Sequence, residues 1–485
     1  MLPANMMEMM LTPRRQNRSG VDILNQKKFH MPTAYTILFL LLILVAAATW
    51  IIPAGSYDYV DGVPVAGTYH TVEQNPQGVG DVLKAAFSGF YDAVDVCIFI
   101  LMVGGFLGVV MKTGAVDAGV GNVIRLLGGR EKWLIPILML LFGLGGTTYG
   151  MWEETMAFYP LLIPVFLAAG YDAVVGISVI LLGAGAGVIA STVNPFATGI
   201  AAGFAGVSLG EGIVLRLLEW VAFEAAAIWF VMAYAAKVKK NPSKSVVGVG
   251  AGKIQVSMDQ QVSFTAKRKV IMALFTLTFL IMVYAVVPFD EMGLSLPALG
   301  WWFPELSALF LVAGVVIGLI DRMSEEELVE TYVAGCADLL GVAFIIGISR
   351  GITVLMNDGA ITDTVLHWGE QALSGAGAIS FTLLVFALYL PLTILIPSSS
   401  GLATLSIPIV APLGKFAGVG GDLVVTAFQS ASGLVNIITP TAAVVMGALA
   451  LGHVPYDRWV KYVWKLILWF LLLALAFLVA GVLLG

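Results

Sequence analysis

Long apolar runs alternate with short polar interruptions along most of this chain. A helix of roughly 20 apolar residues crosses a hydrocarbon core about 30 Å thick, and runs of that length recur. We predict membrane spans at 33–52, 94–111, 172–206, 213–236, 270–289, 305–320, 333–356, 422–450 and 459–484. The pattern therefore predicts an all-α polytopic membrane protein.

Four polar interruptions occur at corresponding places in the two halves. Segments 133–168 and 380–415 each turn at a centre rich in Gly, Ser, Thr and Pro, which predicts two re-entrant hairpins whose tips, near Thr147 and Ser399, approach each other. Spans 172–206 and 422–450 are predicted to be broken helices, interrupted at Pro195 and Pro440, because proline lacks a backbone N–H. Irregular backbone at membrane depth is tolerated where it is buried or lines a cavity. The four interruptions therefore predict a built site, as in secondary transporters.

The two halves form an internal repeat. LGVVMKTGA at 107–115 aligns with ITVLMNDGA at 352–360. We predict a first repeat over 31–236, a cytoplasmic linker over 237–269 and a second repeat over 270–485, preceded by a disordered cytoplasmic N-terminus at 1–30.

The positions of the basic residues predict the orientation of the chain. With a cytoplasmic N-terminus, all of the 25 Lys and Arg fall on the inner side except Lys84, Arg216, Arg350 and Lys415. This bias predicts a cytoplasmic N-terminus, an external C-terminus and repeats of inverted orientation. We expect a multi-pass protein of a bacterial inner (plasma) membrane.

Composition restricts the function classes. The chain is 59% hydrophobic and 12% charged, outside the range of soluble proteins. Its four His and two Cys form no HExxH or CxxC motif, and no phosphate-binding glycine loop is present. We expect no cofactor, no transition metal and no nucleic acid partner, only a small-molecule substrate and membrane lipids. An ion channel and an intramembrane enzyme are the rival classes, although no Ser/His pairing supports hydrolysis.

Helix ends within a membrane expose N–H and C=O groups that can bind ions. The candidate substrate-binding residues are Thr147, Thr148, Glu153, Glu154, Asn194, Ser398, Ser399, Ser400, Asn436, Thr439 and Thr441. The candidate cation site, for Na⁺, consists of Ser191, Thr192, Asn194, Ser399, Asn436 and Thr439. The alternative for any one Ser or Thr is a hydrogen bond back to its own helix.

Three charged side chains are the sharpest individual candidates. Glu153 and Glu154 lie at the first hairpin tip, and a carboxylate at membrane depth is a functional hypothesis by default. They favour a cationic ligand group, unless the tip reaches water and the pair is solvated. Arg350 is expected to pair with a structural Asp such as Asp338 or Asp358, and the alternatives are a substrate carboxylate and the membrane interface.

The motifs GMWEETMAFYPLLIP, ISRGI with its following MNDGAITDT, and IPSSSGLATLSIP resemble the YfcC-type basic amino acid antiporters of the C4-dicarboxylate anaerobic carrier group. The resemblance implies membership of the ion transporter superfamily, whose known members are dimers that work by an elevator movement. It implies a scaffold formed by 33–112 with 270–356, and a transport domain formed by 133–236 with 380–485. The dicarboxylate branch carries Ser-Asn-Thr triplets where this chain has Thr147-Thr148-Tyr149 and Ser398-Ser399-Ser400.

We therefore expect a secondary active transporter that exchanges or imports basic amino acids such as arginine or ornithine. The alternative is a Na⁺- or H⁺-coupled carrier of four-carbon dicarboxylates or other small carboxylates. Exchange, Na⁺ coupling and H⁺ coupling all stay open at this point.

Overall fold

The structure of the chain, a computed structural model, describes residues 34–116, 118–119, 122, 130–148, 150–208, 210–248, 264–286, 296–297 and 299–484. The predicted disordered segment 1–30, the linker residues 249–263 and Tyr149 lie outside the described residues.

The described residues form 17 α-helices and four two-residue strands. The first half contains α1 (Ala34–Ala48), α2 (Val79–Asp92), α3 (Val94–Lys112), α4 (Leu134–Thr148), α5 (Tyr159–Ala168), α6 (Ala173–Ile189), α7 (Ile200–Ala205) and α8 (Ile213–Lys240). The second half contains α9 (Ala266–Val286), α10 (Phe303–Asp321), α11 (Glu325–Asp358), α12 (Thr362–Leu373), α13 (Ala378–Leu395), α14 (Ser399–Phe416), α15 (Gly421–Asn436), α16 (Ala443–Leu451) and α17 (Tyr456–Leu484). Strands β1 (Gly55–Ser56) and β4 (His70–Thr71) pair antiparallel, as do β2 (Tyr59–Val60) and β3 (Val63–Pro64).

Five of the described helices are long and apolar enough to cross a membrane by length and composition, namely α3, α10, α11, α13 and α17. The described residues therefore include helices of the length and composition that a membrane protein requires. Helix α13 differs from the expectation. Its segment was predicted to cross only half of the membrane as one arm of a hairpin, whereas the helix has 18 residues and is long enough to cross fully.

Helices end at all four predicted interruptions. Between α4 and α5 lies a 3-10 helix, Glu153–Phe158, and between α13 and α14 lie residues 396–398. Residues 190–199 separate α6 from α7 and include a π-helix at Pro195–Gly199, whereas residues 437–442 separate α15 from α16. Neither hairpin segment is one continuous helix.

Two helices differ clearly from the prediction. Helix α11 begins at Glu325 rather than at 333, because Ser324 caps it and accepts a hydrogen bond from the Glu327 N–H at 3.1 Å. Its first turn is acidic, which suits the positive end of the helix dipole but carries no apolar signal. Helix α2 was not predicted, because it mixes polar with apolar side chains, and it ends at Asp92 with only Ala93 between it and α3.

One group of helices packs around α3 and α11. Helix α11 packs against α1, α2 and α3, while α10 packs against α3 and α9. Backbones meet at Gly104 and Gly335, where a Cβ built on Gly335 would lie 2.4 Å from the Gly104 carbonyl oxygen. Close contact through small residues is typical of helix packing in membranes.

A second group packs around α6 and α15. Helix α6 contacts α4, α5, α8 and α15, and α15 also contacts α13, α14 and α17. Helices α4 and α6 meet backbone to backbone, since a Cβ on Gly187 would lie 2.2 Å from the Gly143 carbonyl oxygen. Between the two groups, α11 contacts α16, and segment 153–158 contacts α3.

The strand segment is fixed to α12 by two tyrosines. Asp363 accepts hydrogen bonds from the Tyr57 N–H at 3.0 Å and from the Tyr59 hydroxyl at 2.8 Å, and Glu370 accepts one from the Tyr57 hydroxyl at 2.8 Å. Burial, followed by these hydrogen bonds, raises the pKa of both tyrosine hydroxyls. They therefore stay protonated as donors and hold the segment in place.

Candidate functional site

A cavity of about 160 Å³ lies where the hairpin tips meet the breaks. Most of the predicted substrate-binding residues line it: Glu153, Glu154, Asn194, Ser398, Ser399, Ser400, Asn436 and Thr441. A single water needs roughly 10–15 Å³ of such space, so the cavity has room for a small solute. The first helix group contributes Val96, Trp302, Phe303, Ile346, Ser349 and Arg350.

The first hairpin contributes two carboxyl groups. Glu154 is buried, and its Oε2 accepts a hydrogen bond from the Trp152 N–H at 3.1 Å. Glu153 is half-buried and close enough to Arg350 to interact with it electrostatically. The turn that precedes them needs a glycine, because Gly150 has φ +77° and a Cβ there would lie 2.5 Å from the Asn194 Nδ2. This close approach brings the hairpin tip against the first break.

The second hairpin contributes the N-terminus of α14. Ser398 is its cap, and its Oγ accepts a hydrogen bond from the Gly401 N–H at 3.3 Å. Ser399 and Ser400 occupy the first turn of this 18-residue helix, and all three serines line the cavity. Free N–H groups and the helix dipole at this end favour a negative ligand group.

A hydrogen bond joins the second break to the first helix group. The Ser349 hydroxyl on α11 donates to the Thr441 carbonyl oxygen at 2.7 Å, between two buried residues. The Thr441 hydroxyl lies 2.8 Å from that of Thr439. Thr439 itself does not line the cavity.

Two predicted threonines have other roles. The Thr147 hydroxyl donates to the Ala190 carbonyl oxygen at 2.8 Å, and the Thr147 carbonyl accepts from the Thr192 N–H at 2.8 Å. Thr147 therefore fastens the end of α4 to the first break. The Thr148 hydroxyl donates to the Leu144 carbonyl in its own helix at 2.6 Å, which is the alternative stated for any single Ser or Thr.

Five of the six predicted cation donors fall into two places, and Thr439 lies in neither. Asn194, Ser399 and Asn436 line the cavity. Thr192 is bonded to Thr147, and the buried Ser191 hydroxyl has no hydrogen-bond partner among the described residues. Hard oxygen atoms are present at both places, so the choice of coupling ion stays a prediction.

Arg350 pairs with an Asp, as expected, but the two named candidates were wrong. Its Nε lies 3.7 Å from Asp92 Oδ2, rather than beside Asp338 or Asp358, and its side chain lines the cavity. Asp92 ends α2, a helix that the apolar pattern did not predict. Sequence reasoning also missed the cavity residues Trp152, Trp302 and Phe303, since aromatic residues at span ends carry no signal that separates a binding site from the membrane interface.

Comparisons with known proteins identify a family and several similar chains. The family described as C4-dicarboxylate anaerobic carrier, DcuC, matches residues 31–483. A protein of Haemophilus influenzae named "Uncharacterized protein" is 35% identical over 94% of this chain and 98% of its own length. The Escherichia coli protein named "Putative basic amino acid antiporter YfcC" is 30% identical over 90% of this chain and 93% of its own length.

A solved transporter structure also aligns with the chain. The Alcanivorax borkumensis YdaH transporter is 15% identical, with 92% of this chain and 98% of that chain covered and a TM-score of 0.42. The family match spans nearly all of the described helices and the whole cavity. This chain therefore belongs to the C4-dicarboxylate anaerobic carrier family of membrane transporters.

Proposed function

We propose that this protein exchanges or imports basic amino acids of the arginine and ornithine type. The observation that carries the proposal is the charge pattern of the cavity, with two carboxyl groups, Glu153 and Glu154, and one guanidinium, Arg350. A dibasic amino acid carries the complementary set, with two cationic groups and one carboxylate. In this arrangement its side-chain cation faces the glutamates, and its carboxylate faces the α14 N-terminus or Arg350.

Charge repulsion disfavours a dicarboxylate in the same cavity. At about 4 Å and an effective dielectric near 20, each like-charge contact costs about 4 kcal/mol. A dicarboxylate therefore needs protons or Na⁺ to neutralise carboxyl groups. The family description favours it as the second candidate, as a cation-coupled carrier of four-carbon dicarboxylates.

Counterflow in liposomes tests the proposed substrate class. Purified protein is reconstituted into vesicles loaded with unlabelled arginine, and entry of labelled arginine, ornithine, succinate and fumarate is compared. We expect labelled arginine and ornithine to enter, because they complement the cavity charges, and succinate to stay outside. Entry of succinate alone, dependent on Na⁺ or on a pH gradient, would transfer the assignment to the dicarboxylate alternative.

The proposed cycle is of the elevator type, in a homodimer in a bacterial inner membrane with a cytoplasmic N-terminus and an external C-terminus. In it the second helix group, 133–236 with 380–485, carries the two hairpins past the first group, 33–112 with 270–356. The cavity supports this division, because its hairpin and break residues all come from one group and Arg350 and Ser349 from the other. Repeats of inverted orientation would supply the two alternate states.

A disulfide between the two helix groups should stop transport if they move relative to each other. Ser349→Cys combined with Thr441→Cys, in a background lacking Cys97 and Cys336, places two thiols at the point where the Ser349 hydroxyl now donates to the Thr441 backbone carbonyl at 2.7 Å. We expect oxidation to abolish counterflow and reduction to restore it. The two single-cysteine variants under the same oxidant are the control, and full counterflow in the crosslinked pair would contradict the elevator movement.

A further inference from the structure

Glu224 is a buried carboxyl group that the substrate cavity does not use. It lies near the middle of α8, and its side chain is 2% exposed. Both of its carboxyl oxygens are buried and have no hydrogen-bond partner among the described residues. Glu219, on the same helix, differs, because its Oε1 accepts a hydrogen bond from the Ser430 hydroxyl at 2.8 Å and Arg216 acts on it electrostatically.

The Glu224 carboxyl is pressed against the backbone of the first hairpin arm. A Cβ built on Gly143 of α4 would lie 2.4 Å from Glu224 Oε2 and 3.2 Å from Trp220 Nε1. Glu224 and Trp220 are four residues apart, so both face α4 from one side of α8. Gly143 is in turn one helical turn before Thr147, which holds the hairpin to the first break. The carboxyl thus contacts the helix that leads into the hairpin tip on which Glu153 and Glu154 lie.

Among the described residues, no charged group pairs with Glu224. Helices α4 and α6, which pack against α8, contain no titratable side chain. On α17 the neighbour at this level is Phe470, which contacts Phe223, and Tyr462 meets Phe230 further along α8. The remaining titratable groups on α8 and on the elements that contact it are Arg216, Glu219, Tyr234, Lys237, Lys239, Lys240, Lys244, Asp422, Tyr456, Asp457, Arg458, Lys461 and Lys465, and among the described residues none of them forms a hydrogen bond with Glu224.

A buried carboxylate without a partner is too costly to persist, so the group must be neutral in this packing. The contact of α8 with α4 is therefore available only when Glu224 holds a proton. From this geometry we infer that Glu224 is a proton-binding site that couples protonation to the position of the first hairpin. On binding, the carboxylate takes one proton from hydronium and leaves water, and on release the reverse occurs when α4 and α8 separate. The two states of the hairpin then differ in proton affinity, which is what coupling requires.

Glutamine at position 224 separates a carboxyl group that holds a proton in the folded protein from one that is ionised there. It has the shape of the neutral acid and cannot ionise. If Glu224 is ionised in the folded protein, as it is in the unfolded chain, the stability of E224Q follows that of the parent at every pH. If Glu224 holds a proton in the folded protein, the parent alone loses stability through this group as pH rises, and the movement of that proton during transport is measured separately.

The first test needs no substrate. Melting temperatures of the purified parent, E224Q and a control, E326Q at an exposed acidic position of α11, are compared from about pH 6 to about pH 9. The folded parent holds a proton that the unfolded chain releases, so its stability should fall as pH rises, whereas E224Q lacks this loss. We expect the parent to lose about 2–4 °C more than E224Q, with E326Q following the parent. Equal losses in parent and E224Q would overturn the inference.

The second test measures proton movement, and it rests on the proposed function. Vesicles containing a pH-sensitive dye and ornithine receive external arginine, and luminal pH and arginine entry are recorded together. We expect a luminal pH change with the parent and none with E224Q while arginine still enters. Arginine entry through the parent without any pH change overturns the proton site, even if E224Q fails to fold. If arginine does not enter at all, the proposed substrate is wrong. The melting experiment then still shows whether Glu224 holds a proton in the folded protein.

Discussion

Replacing Glu153 or Glu154 with glutamine should lower kcat/KM for arginine by about 10- to 100-fold for at least one of the two variants. A hydrogen bond to a charged group contributes about 1.5–3 kcal/mol, and its loss appears directly as lost transition-state binding. The change should leave the fold intact, because a glutamine at 154 keeps an oxygen that can accept the hydrogen bond from the Trp152 N–H. Labelled arginine uptake into vesicles over a range of concentrations measures the effect.

Glu326→Gln is the matched control for these two variants, because it removes an acidic charge from an exposed position outside the cavity. The elution profile should be equal for all four proteins, and E326Q should melt only slightly below the parent, because one exposed carboxylate at a helix N-terminus contributes about 0.3–1 kcal/mol. If both cavity variants transport arginine like the parent, the glutamates do not hold the substrate cation. The acidic hairpin tip would then have to be assigned to proton coupling or to solvent.

Gly335→Val should prevent the protein from reaching a stable folded state. Gly335 and Gly104 approach so closely that a Cβ on either would lie within 2.5 Å of the other's carbonyl oxygen. The atoms in the way are backbone, so no side-chain rotation relieves the clash, and we expect a cost above the usual overpacking range of about 1–3 kcal/mol. Detergent extraction followed by size-exclusion chromatography and thermal unfolding measures the outcome.

Gly80→Ala is the matched control for helix packing. Gly80 lies in α2, and a Cβ there would meet nothing within 4 Å. Alanine at an open helical site should be neutral or stabilising by up to about 1 kcal/mol. A G335V protein that extracts and melts like G80A would show that α3 and α11 can separate without loss of the fold.

The four interruptions could be predicted from sequence because each sets polar or conformationally restricted residues within an apolar run. TTYGMWEE and PSSSG contrast with their flanks, and Asn194 and Asn436 each lie beside a helix end. The same contrast identified eight residues that line one cavity. The local sequence sufficed here, since polar residues and prolines within an apolar run are visible in the chain itself.

Features that depend on tertiary pairing could not be predicted. Nothing in the local sequence shows that Arg350 meets Asp92, 258 residues earlier in the chain, or that Thr147 bonds across to Ala190 and Thr192. The two-residue strands are too short to display an alternating pattern. Helix α2 could not be predicted from hydrophobicity, because polar side chains interrupt its apolar residues.

The two interrupted helices α6 and α15 are shielded from the bilayer along nearly their whole length. All 17 residues of α6 are buried, as are all residues of α15 except Asp422. Lipid instead meets outer helices such as α1, α10 and α17, which expose Leu44, Val312 and Leu472. A mismatch between the length of the apolar helices and the thickness of the hydrocarbon core costs fractions of a kcal/mol per Å, and it therefore acts on these outer helices. Changes in lipid chain length should alter the rate at which the protein changes state, while the affinity of the enclosed cavity stays the same.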